Sequence, residues 1–454
     1  MFHKVLIANR GEIAIRIART CRAMGLKTVA IYSEADADAP HVHAADEAVC
    51  VGPARSVDSY LNIPNIIAAA LETGADAVHP GFGFLSERAA FAESVAMAGL
   101  TFVGPPAAAV TAMGDKTHAR ALVIAAGVPV VPALEELPAD PGAIAQAAEA
   151  IGFPLLIKAA AGGGGKGMRI VRGVEELPNS MESAQREAQS AFGDGRVFLE
   201  RYVERPRHIE VQVLADRHGN IIHLGERECS IQRRHQKIIE ESPSPAVDGV
   251  LRRRITAAAL QAARTINYVN AGTVENLLAP DGQFYFLEMN TRLQVEHPVT
   301  EWVYGLDLVQ EQLRIAKGEA LWLRQEDVQA RGHSIECRVY AENPAMNFVP
   351  SPGHISRVVE PQGPGVRVDS GIRSDYAVPM YYDPMLSKVS TWGPDRDTAR
   401  RRMIVALREY VIEGITTNIP FLIDLLEHPA FIAGHTHTHF IADHFPKWPP
   451  DRSA

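Results

Sequence analysis

Residues 273–290 limit the fold more than any other part of this 454-residue sequence. Two largely apolar runs, 274–279 and 284–289, flank Asp281-Gly282, a dipeptide that favours a tight hairpin. With those two residues as the turn, Leu277 faces Phe286 and Glu275 faces Glu288. Opposed carboxylates on one face of a ladder repel and cost stability. A divalent cation between them removes that cost, and Asn290, two residues beyond Glu288, shares the face. Oxygen ligands of this kind suit Mg²⁺ or Mn²⁺, and Mg²⁺ usually takes nucleotide phosphates as well. A solvent-exposed face would also tolerate the pair, and Pro280 leaves the turn itself open.

A second constraint lies upstream. Residues 153–158 and 168–171 read as strands, with Gly162-Gly163-Gly164-Gly165-Lys166-Gly167 between them. Glycines let consecutive backbone N–H groups approach a phosphate closely. A dinucleotide fingerprint needs a helix after the glycines, and here a strand follows. A Walker A loop needs Ser or Thr after the lysine, and Gly167 stands there. A mobile hairpin flap over phosphates, flanked by Lys158 and Lys166, fits better than a plain flexible linker.

Around these segments the chain reads as α/β followed by α+β. Strands near 5–8, 28–32, 75–78 and 101–105 alternate with helices, one of them over 13–24 and ending at Gly25. This is the pattern of a parallel sheet. Ser86 has the character of an N-cap for a helix from Glu87. Prolines 129, 132, 138 and 141 mark a hinge. The domain reading is 1–114 (βα domain), 115–130 (connector), 131–203 (lid, with a helix near 143–150), 204–446 (strand-rich domain) and 447–454 (tail). In 208–214, His208, Glu210 and Gln212 alternate with Ile209, Val211 and Val213, which predicts a half-buried antiparallel strand. Helices are predicted over 251–266, 307–317 and 398–410.

Composition excludes several classes. Lys plus Arg total 45 against 54 Asp plus Glu, a net charge of -9, which disfavours duplex DNA and anionic membranes. The four cysteines form no Cys-x-x-Cys pair, so reduced cytoplasmic thiols are expected rather than zinc or disulfides. No apolar run approaches the ~18 residues of a membrane span, and the start is unlike a signal peptide.

Two more segments carry chemistry. Beside the proposed metal, Arg292, Gln294 and Glu296 recur at period two. An arginine fork suits a small planar anion, and a neighbouring glutamate can act as a general base; a surface salt bridge is the alternative. The run Gln232-Arg233-Arg234-His235-Gln236-Lys237 suits phosphates better than nucleic acid, since no aromatic residues interleave it. His435, His437 and His439 alternate but lie far in sequence from every other site signal.

Taken together, these segments resemble the biotin carboxylase family of the ATP-grasp superfamily over nearly the whole chain, from Ile7-Ala8-Asn9-Arg10-Gly11-Glu12-Ile13-Ala14 to Thr417-Asn418-Ile419-Pro420. The most specific stretch is 288–301, supported by His79-Pro80-Gly81-Phe82-Gly83-Phe84-Leu85-Ser86-Glu87 and by 232–237. The resemblance implies an ATP-grasp fold with a Rossmann-like N-terminal domain, a mobile glycine-rich lid and a C-terminal antiparallel-sheet domain. It implies that MgATP phosphorylates bicarbonate to carboxyphosphate, whose CO₂ then carboxylates N1 of biotin. By matching position, Lys116, Lys158, Gly163, Gly164, Gly165, His208, Gln232, His235 and Lys237 would handle ATP, with Glu200 and the Val203 backbone at the adenine. Glu275, Glu288 and Asn290 would hold Mg²⁺ or Mn²⁺, two ions per site. Lys237, Arg292, Gln294 and the Val295 backbone would bind bicarbonate, Glu296 would remove its proton, and Arg338 would stabilise the biotin oxygen.

The departures from the family pattern are Ala161, Arg201 and Asn276, which is expected to point away from Glu275. A different ATP-grasp carboxylate–amine ligase and a nucleotide-binding regulatory protein are the competing classes. No Met-Lys-Met-like acceptor turn occurs. Biotin is therefore expected on a separate carrier protein, with the carboxyltransferase on other chains. The expected parent is acetyl-CoA carboxylase, with propionyl/acyl-CoA or pyruvate carboxylase as alternatives. A homodimer is also implied, with Arg16 as a candidate interface residue.

Overall fold

The computed structural model describes residues 2–134, 136–159 and 168–449, and of Phe192 the backbone alone. Ala161, Lys166 and the proposed phosphate contacts Gly163, Gly164 and Gly165 lie outside the described residues.

Five short strands build the first layer, all parallel, in the order Glu47–Gly52, Lys27–Ser33, Lys4–Ile7, Ala77–His79, Thr101–Phe102. The central strand is apolar on both faces, because Leu6 packs against Tyr60 and Phe91 on one side and Ile7 against Ile13 and Ile17 on the other. The helix after it, Gly11–Ala23, closes with Gly25 in the left-handed region. The helix predicted from Glu87 begins instead at Ala89, with Arg88 at its N-cap. Ser86 is buried, and its hydroxyl makes no capping bond. Residues 82–88 turn back toward the site, which frees Glu87 for another role.

A smaller antiparallel sheet follows, in the order Ala133–Leu134, Val197–Arg201, Leu155–Ala159, Arg169–Val171. Helices Pro141–Ile151 and Leu177–Phe192 flank it. Residues 116–125, in the stretch read as a connector, form a helix capped by Asp115.

The third unit is an eight-stranded sheet: Phe284–Asn290, Asn270–Leu278, Arg207–Ala215, Ile221–Arg233, Gln236–Ser242, His333–Tyr340, Met385–Gly393, Val366–Ser370. Strand 207–215 is buried on both faces, so the half-buried expectation is wrong. Its polar face, His208, Glu210 and Gln212, points into a charged interior rather than to solvent. In the 273–290 hairpin Glu275 does face Glu288, but Leu277 faces Tyr285 rather than Phe286. The turn is longer than two residues: Gln283 carbonyl accepts from Ala279 N–H, and a bulge at Leu287 restores the register by the time Glu275 is reached. No helix among the described residues is long and apolar enough to cross a membrane.

Arg16 turns inward. It is 3% exposed and forks between Glu301 (2.7 Å) and Asp307 (2.8 Å), tying the first helix to the large sheet's helical cover. It does not present a partner surface as expected.

The sheet is continuous because strand 236–242 pairs with strand 333–340. Glu241 on the former meets His333 at 2.8 Å and Arg396 at 2.6 Å. Burial alone would raise its carboxyl, but His333 and Arg396 outweigh burial and hold it at about 2, against an ordinary 4.5. A depressed carboxyl stabilises the fold above its unfolded pKa and loses that contribution as pH falls through the folded value. Glu241 should therefore contribute roughly 3 kcal/mol above about pH 5. Glu241→Gln should lower stability at pH 7 by about that amount and flatten the acid loss between roughly pH 4.5 and 2, as read from urea midpoints across that range.

Candidate active site

All three units contribute to one cleft of about 2130 Å³, more than twice the roughly 1,000 Å³ upper range of an ordinary small-ligand pocket. At its centre lies the Lys237 ammonium. It donates to Glu210 at 2.5 Å, Glu275 at 2.9 Å and Glu296 at 2.6 Å. These carboxylates come from three separate places in the sequence, and the sheet register brings them to one point: Glu210 pairs directly with Glu275 across neighbouring strands.

Arg227 backs this cage and is fully buried. Its five N–H donors reach Glu210 (2.5 Å), Gln212 (2.8 Å), Thr300 (2.9 Å), Thr273 (3.1 Å) and Gln294 (2.6 Å). A guanidinium has five donors in all, so none is wasted. The other amide end of Gln294 donates to Glu275 at 2.6 Å. His208 lies 3.0 Å from Glu275. Burial by itself would lower the imidazole, but Glu275 raises it to about 9.

Glu296 is gripped from two sides, by Lys237 and by Arg338 at 3.1 Å. Burial and Glu210 would raise its carboxyl; Lys237, Arg338 and Arg227 outweigh them and hold it below the ordinary value. It is therefore an ionised base set between two cations. Arg338 also donates to Glu240 at 2.6 Å. Burial raises the Glu240 carboxyl to about 7 despite Arg338.

Glu288 faces Glu275 and the cleft, 3.9 Å from Lys116. Burial and the opposing Glu275 raise its carboxyl, with Lys116 acting against them. Asn290 donates to Glu275 (2.8 Å) and accepts from Arg292 (2.8 Å). Two facing carboxylates plus an amide oxygen fit a divalent cation, whose charge would relieve the repulsion at Glu288. Asn276 does point away, donating to the Val274 carbonyl.

At the lid end of the cleft, Lys158 pairs with Glu200. Val203 packs with Val131, Leu277, Ala279 and Tyr285. The basic run 232–237 is split by its environment. Gln232 donates to the Cys229 carbonyl. Arg233 is engaged by both Glu342 oxygens at 2.9 Å and lies over Phe348, while Arg234 donates to Asn347. Arg234 and His235 both adopt left-handed φ, 50° and 66°, in the two-residue turn between paired Arg233 and Gln236. Such strain, of order 1–3 kcal/mol per residue, is held by the Arg233 contacts and leaves His235 lining the cleft. His439, discounted for its distance in sequence, also lines the cleft, 3.1 Å from the Tyr202 hydroxyl. The chain end returns because Thr438 N–H bonds to the Pro206 carbonyl.

The sequence reading missed Glu87. Its two oxygens accept from the Thr291 N–H (3.0 Å) and from Arg292 Nε (2.7 Å). Asn9 holds the loop leading to it by donating to the Pro80 and Phe82 carbonyls. Gly81 in that loop is left-handed, and a Cβ there would lie 2.9 Å from Asn9 Nδ2. A carboxylate in a loop motif looks like any other until its partner is folded beside it.

Family models match in chain order: the biotin carboxylase N-terminal domain over 1–110, the carbamoyl-phosphate synthase L chain ATP-binding domain over 115–324, and the biotin carboxylase C-terminal domain over 336–443. A biotin carboxylase of Nostoc sp. is 54% identical over 442 residues, covering 97% of this chain and 99% of that protein. The chain belongs to the biotin carboxylase family. Within it, a pyruvate carboxylase subunit of Methanothermobacter thermautotrophicus is 52% identical over 98% of this chain and 90% of its own length. A solved biotin carboxylase–ATP complex from Campylobacter jejuni superposes with a TM-score of 0.93 at 48% identity, covering 98% of this chain and 99% of that one. The biotin carboxylase domain dimer of Hydrogenobacter thermophilus 2-oxoglutarate carboxylase, with MgADP, ADP and bicarbonate, gives 0.91 at 46%, covering 98% of each chain.

Glu87→Ala should release one side of Arg292; with Arg292 as the expected bicarbonate ligand, the KM for bicarbonate should rise about tenfold, the lower end of what a charge-assisted hydrogen bond contributes. The KM for ATP should change much less. Steady-state ADP release with each substrate varied in turn checks this.

Proposed function

We propose that this protein carboxylates biotin on a separate carrier protein, using ATP and bicarbonate through carboxyphosphate, as the first half-reaction of acetyl-CoA carboxylase. The observation that carries the reading is the position of Glu296, ionised between Lys237 and Arg338 and one residue from Val295. A base in that state can take the proton of bicarbonate, and the freed oxygen then attacks the γ-phosphoryl group. Lys237, Arg292, Gln294 and the Val295 backbone hold the anion, while Lys116, Lys158, His208, Gln232 and His235 neutralise and orient phosphates. Glu200 and Val203 meet the adenine. Phosphoryl transfer of this kind is mainly positioning and charge neutralisation.

Glu275, Glu288 and Asn290 would hold Mg²⁺ or Mn²⁺, two ions per site; bound there, the metal supplies charge neutralisation for the phosphates. At the other end Arg338 faces the biotin ring and stabilises the oxygen that gains charge when N1 loses its proton. Gly163, Gly164 and Gly165 complete the phosphate contacts in this reading. The Methanothermobacter relative, by name one subunit of a carboxylase, supports partners on other chains, and the dimeric neighbour supports a homodimer. A pyruvate carboxylase assembly is the second reading, favoured by the Methanothermobacter relative. Which biotinylated protein and which transferase co-purify with the native chain separates the two.

ADP release should require both bicarbonate and Mg²⁺ and should rise with free biotin. EDTA should stop it, and Mn²⁺ should restore it. Turnover without bicarbonate and without response to biotin would instead indicate another ATP-grasp ligase. Glu296→Ala should abolish carboxylation with nucleotide affinity largely kept, as measured by calorimetry alongside turnover; lost ATP binding would remove Glu296 from the role of base.

A further inference from the structure

Lys388 has no part in the site described so far, yet this long basic side chain is 1% exposed. It lies on strand 385–393, directly opposite Arg338 on one neighbouring strand and Asp369 on the other. Directly paired residues project on the same face of a sheet, so Lys388 and Arg338 point the same way. Arg338 reaches the Glu296 carboxylate. The Lys388 ammonium reaches one residue back along the chain and donates to the Val295 carbonyl oxygen at 2.6 Å.

The surroundings explain why that carbonyl is its acceptor. Glu12, in the first turn of the N-terminal helix, lies 3.4 Å away as an ion pair. Both oxygens of Glu336 are buried with no hydrogen-bond partner among the described residues. Burial raises the Glu336 carboxyl, and Lys388 is the foremost group acting against it. The Phe82 ring lies 5.7 Å from the ammonium. A buried ammonium must be both paired and hydrogen-bonded. The directly paired Asp369, held ionised against burial by Arg367 and Lys388, supplies the counter-charge; Glu12, whose carboxyl burial raises to about 7, stands at ion-pair distance, and the Val295 carbonyl supplies the short hydrogen bond.

The Val295 carbonyl and the Glu296 N–H belong to one planar peptide unit. Fixing the oxygen fixes the plane from which Glu296 starts. Each residue of 294–296 is thus held by a basic side chain: Gln294 by Arg227, Val295 by Lys388, and Glu296 by both Lys237 and Arg338. The Lys388 contact joins the three parts of the chain matched by separate family models, because Glu12 lies in 1–110, Val295 in 115–324 and Lys388 in 336–443.

We propose that Lys388 is a positioning residue for the bicarbonate subsite: held between Asp369 and Glu12 where the three domains meet, it pins the Val295–Glu296 peptide so that backbone and base meet the anion in one geometry. This rests on the reading of 294–296 as the bicarbonate-binding segment. Lys388 touches no substrate; it acts through Val295.

The test is steady-state ADP release by the full chain with bicarbonate and ATP varied separately, together with ATP affinity and thermal melting. Lys388→Met should lower kcat/KM for bicarbonate about 10- to 100-fold, the scale of an ångström-sized misplacement, while KM and affinity for ATP stay within about threefold. Lys388→Gln restores an N–H donor without the charge and should recover part of the loss. Should Lys388→Met fail to fold, Glu12→Gln decides, since it keeps Lys388 and replaces the carboxyl 3.4 Å from its ammonium with a neutral amide; its kcat/KM for bicarbonate should fall about 3- to 10-fold. A folded variant with unchanged bicarbonate kinetics, or one in which ATP and bicarbonate parameters fall together, overturns the proposal. Wild-type protein without bicarbonate-dependent ADP release overturns the proposed function and this inference with it. An active wild type with unaffected variants overturns this inference alone.

Discussion

The Lys237 ammonium, enclosed by Glu210, Glu275 and Glu296, is the interaction on which the rest of the site depends. Taking such charges out of water costs several kcal/mol per ion, and a well-packed apolar replacement would often be as stable. Stability alone does not explain the cage. What it does is hold three carboxylates ionised within reach of one cation, a condition that the chemistry of an anionic nucleophile and a phosphate needs. Arg227 makes the cage affordable by satisfying the remaining acceptors, with each of its five donors placed.

The cage in turn depends on register. Glu210 and Glu275 meet because strands 207–215 and 270–278 pair residue for residue. A slip of one position would turn every one of these side chains to the opposite face. The bulge at Leu287 serves the same end from the other side, bringing Glu288 opposite Glu275 although the turn before it is longer than two residues. The charge pattern then divides the cleft. Around Glu288 and Glu275 the two facing carboxylates and the Asn290 amide suit a metal with phosphates. Around Arg338, Glu296 is held ionised while Glu240 is raised to about 7, so two carboxylates on one arginine differ in proton affinity by environment alone.

Much of this was legible along the chain. The facing glutamates were expected from a two-residue turn, and they meet because the bulge at Leu287 offsets a longer one. Arg292, Gln294 and Glu296 were picked out by the two-residue period of a strand, although 291–296 is loop and turn beyond the end of the strand, and every described candidate residue lines the one cleft. The failures share a cause. Glu87 carries a helix-start pattern, but its carboxylate is claimed by Thr291 and Arg292 more than 200 positions away. His439 looks remote until the chain end packs beside Tyr202. Arg16 looks like a surface cation until Glu301 and Asp307 close on it. The alternation in 208–214 marks a polar face correctly, but not that the face is interior.

The amino-acid sequence by itself determined the local elements, the two strands of the hairpin and the family pattern, because periodicity, turn preference and motif spacing act over a few residues. Only the tertiary structure decided which charge meets which. Lys237 finds its three carboxylates, Lys388 finds Val295 and Glu12, and strand 236–242 finds strand 333–340 across separations of 27 to 376 positions. Such pairings are set by sheet register and by exclusion of water, and neither is written in any short stretch of sequence.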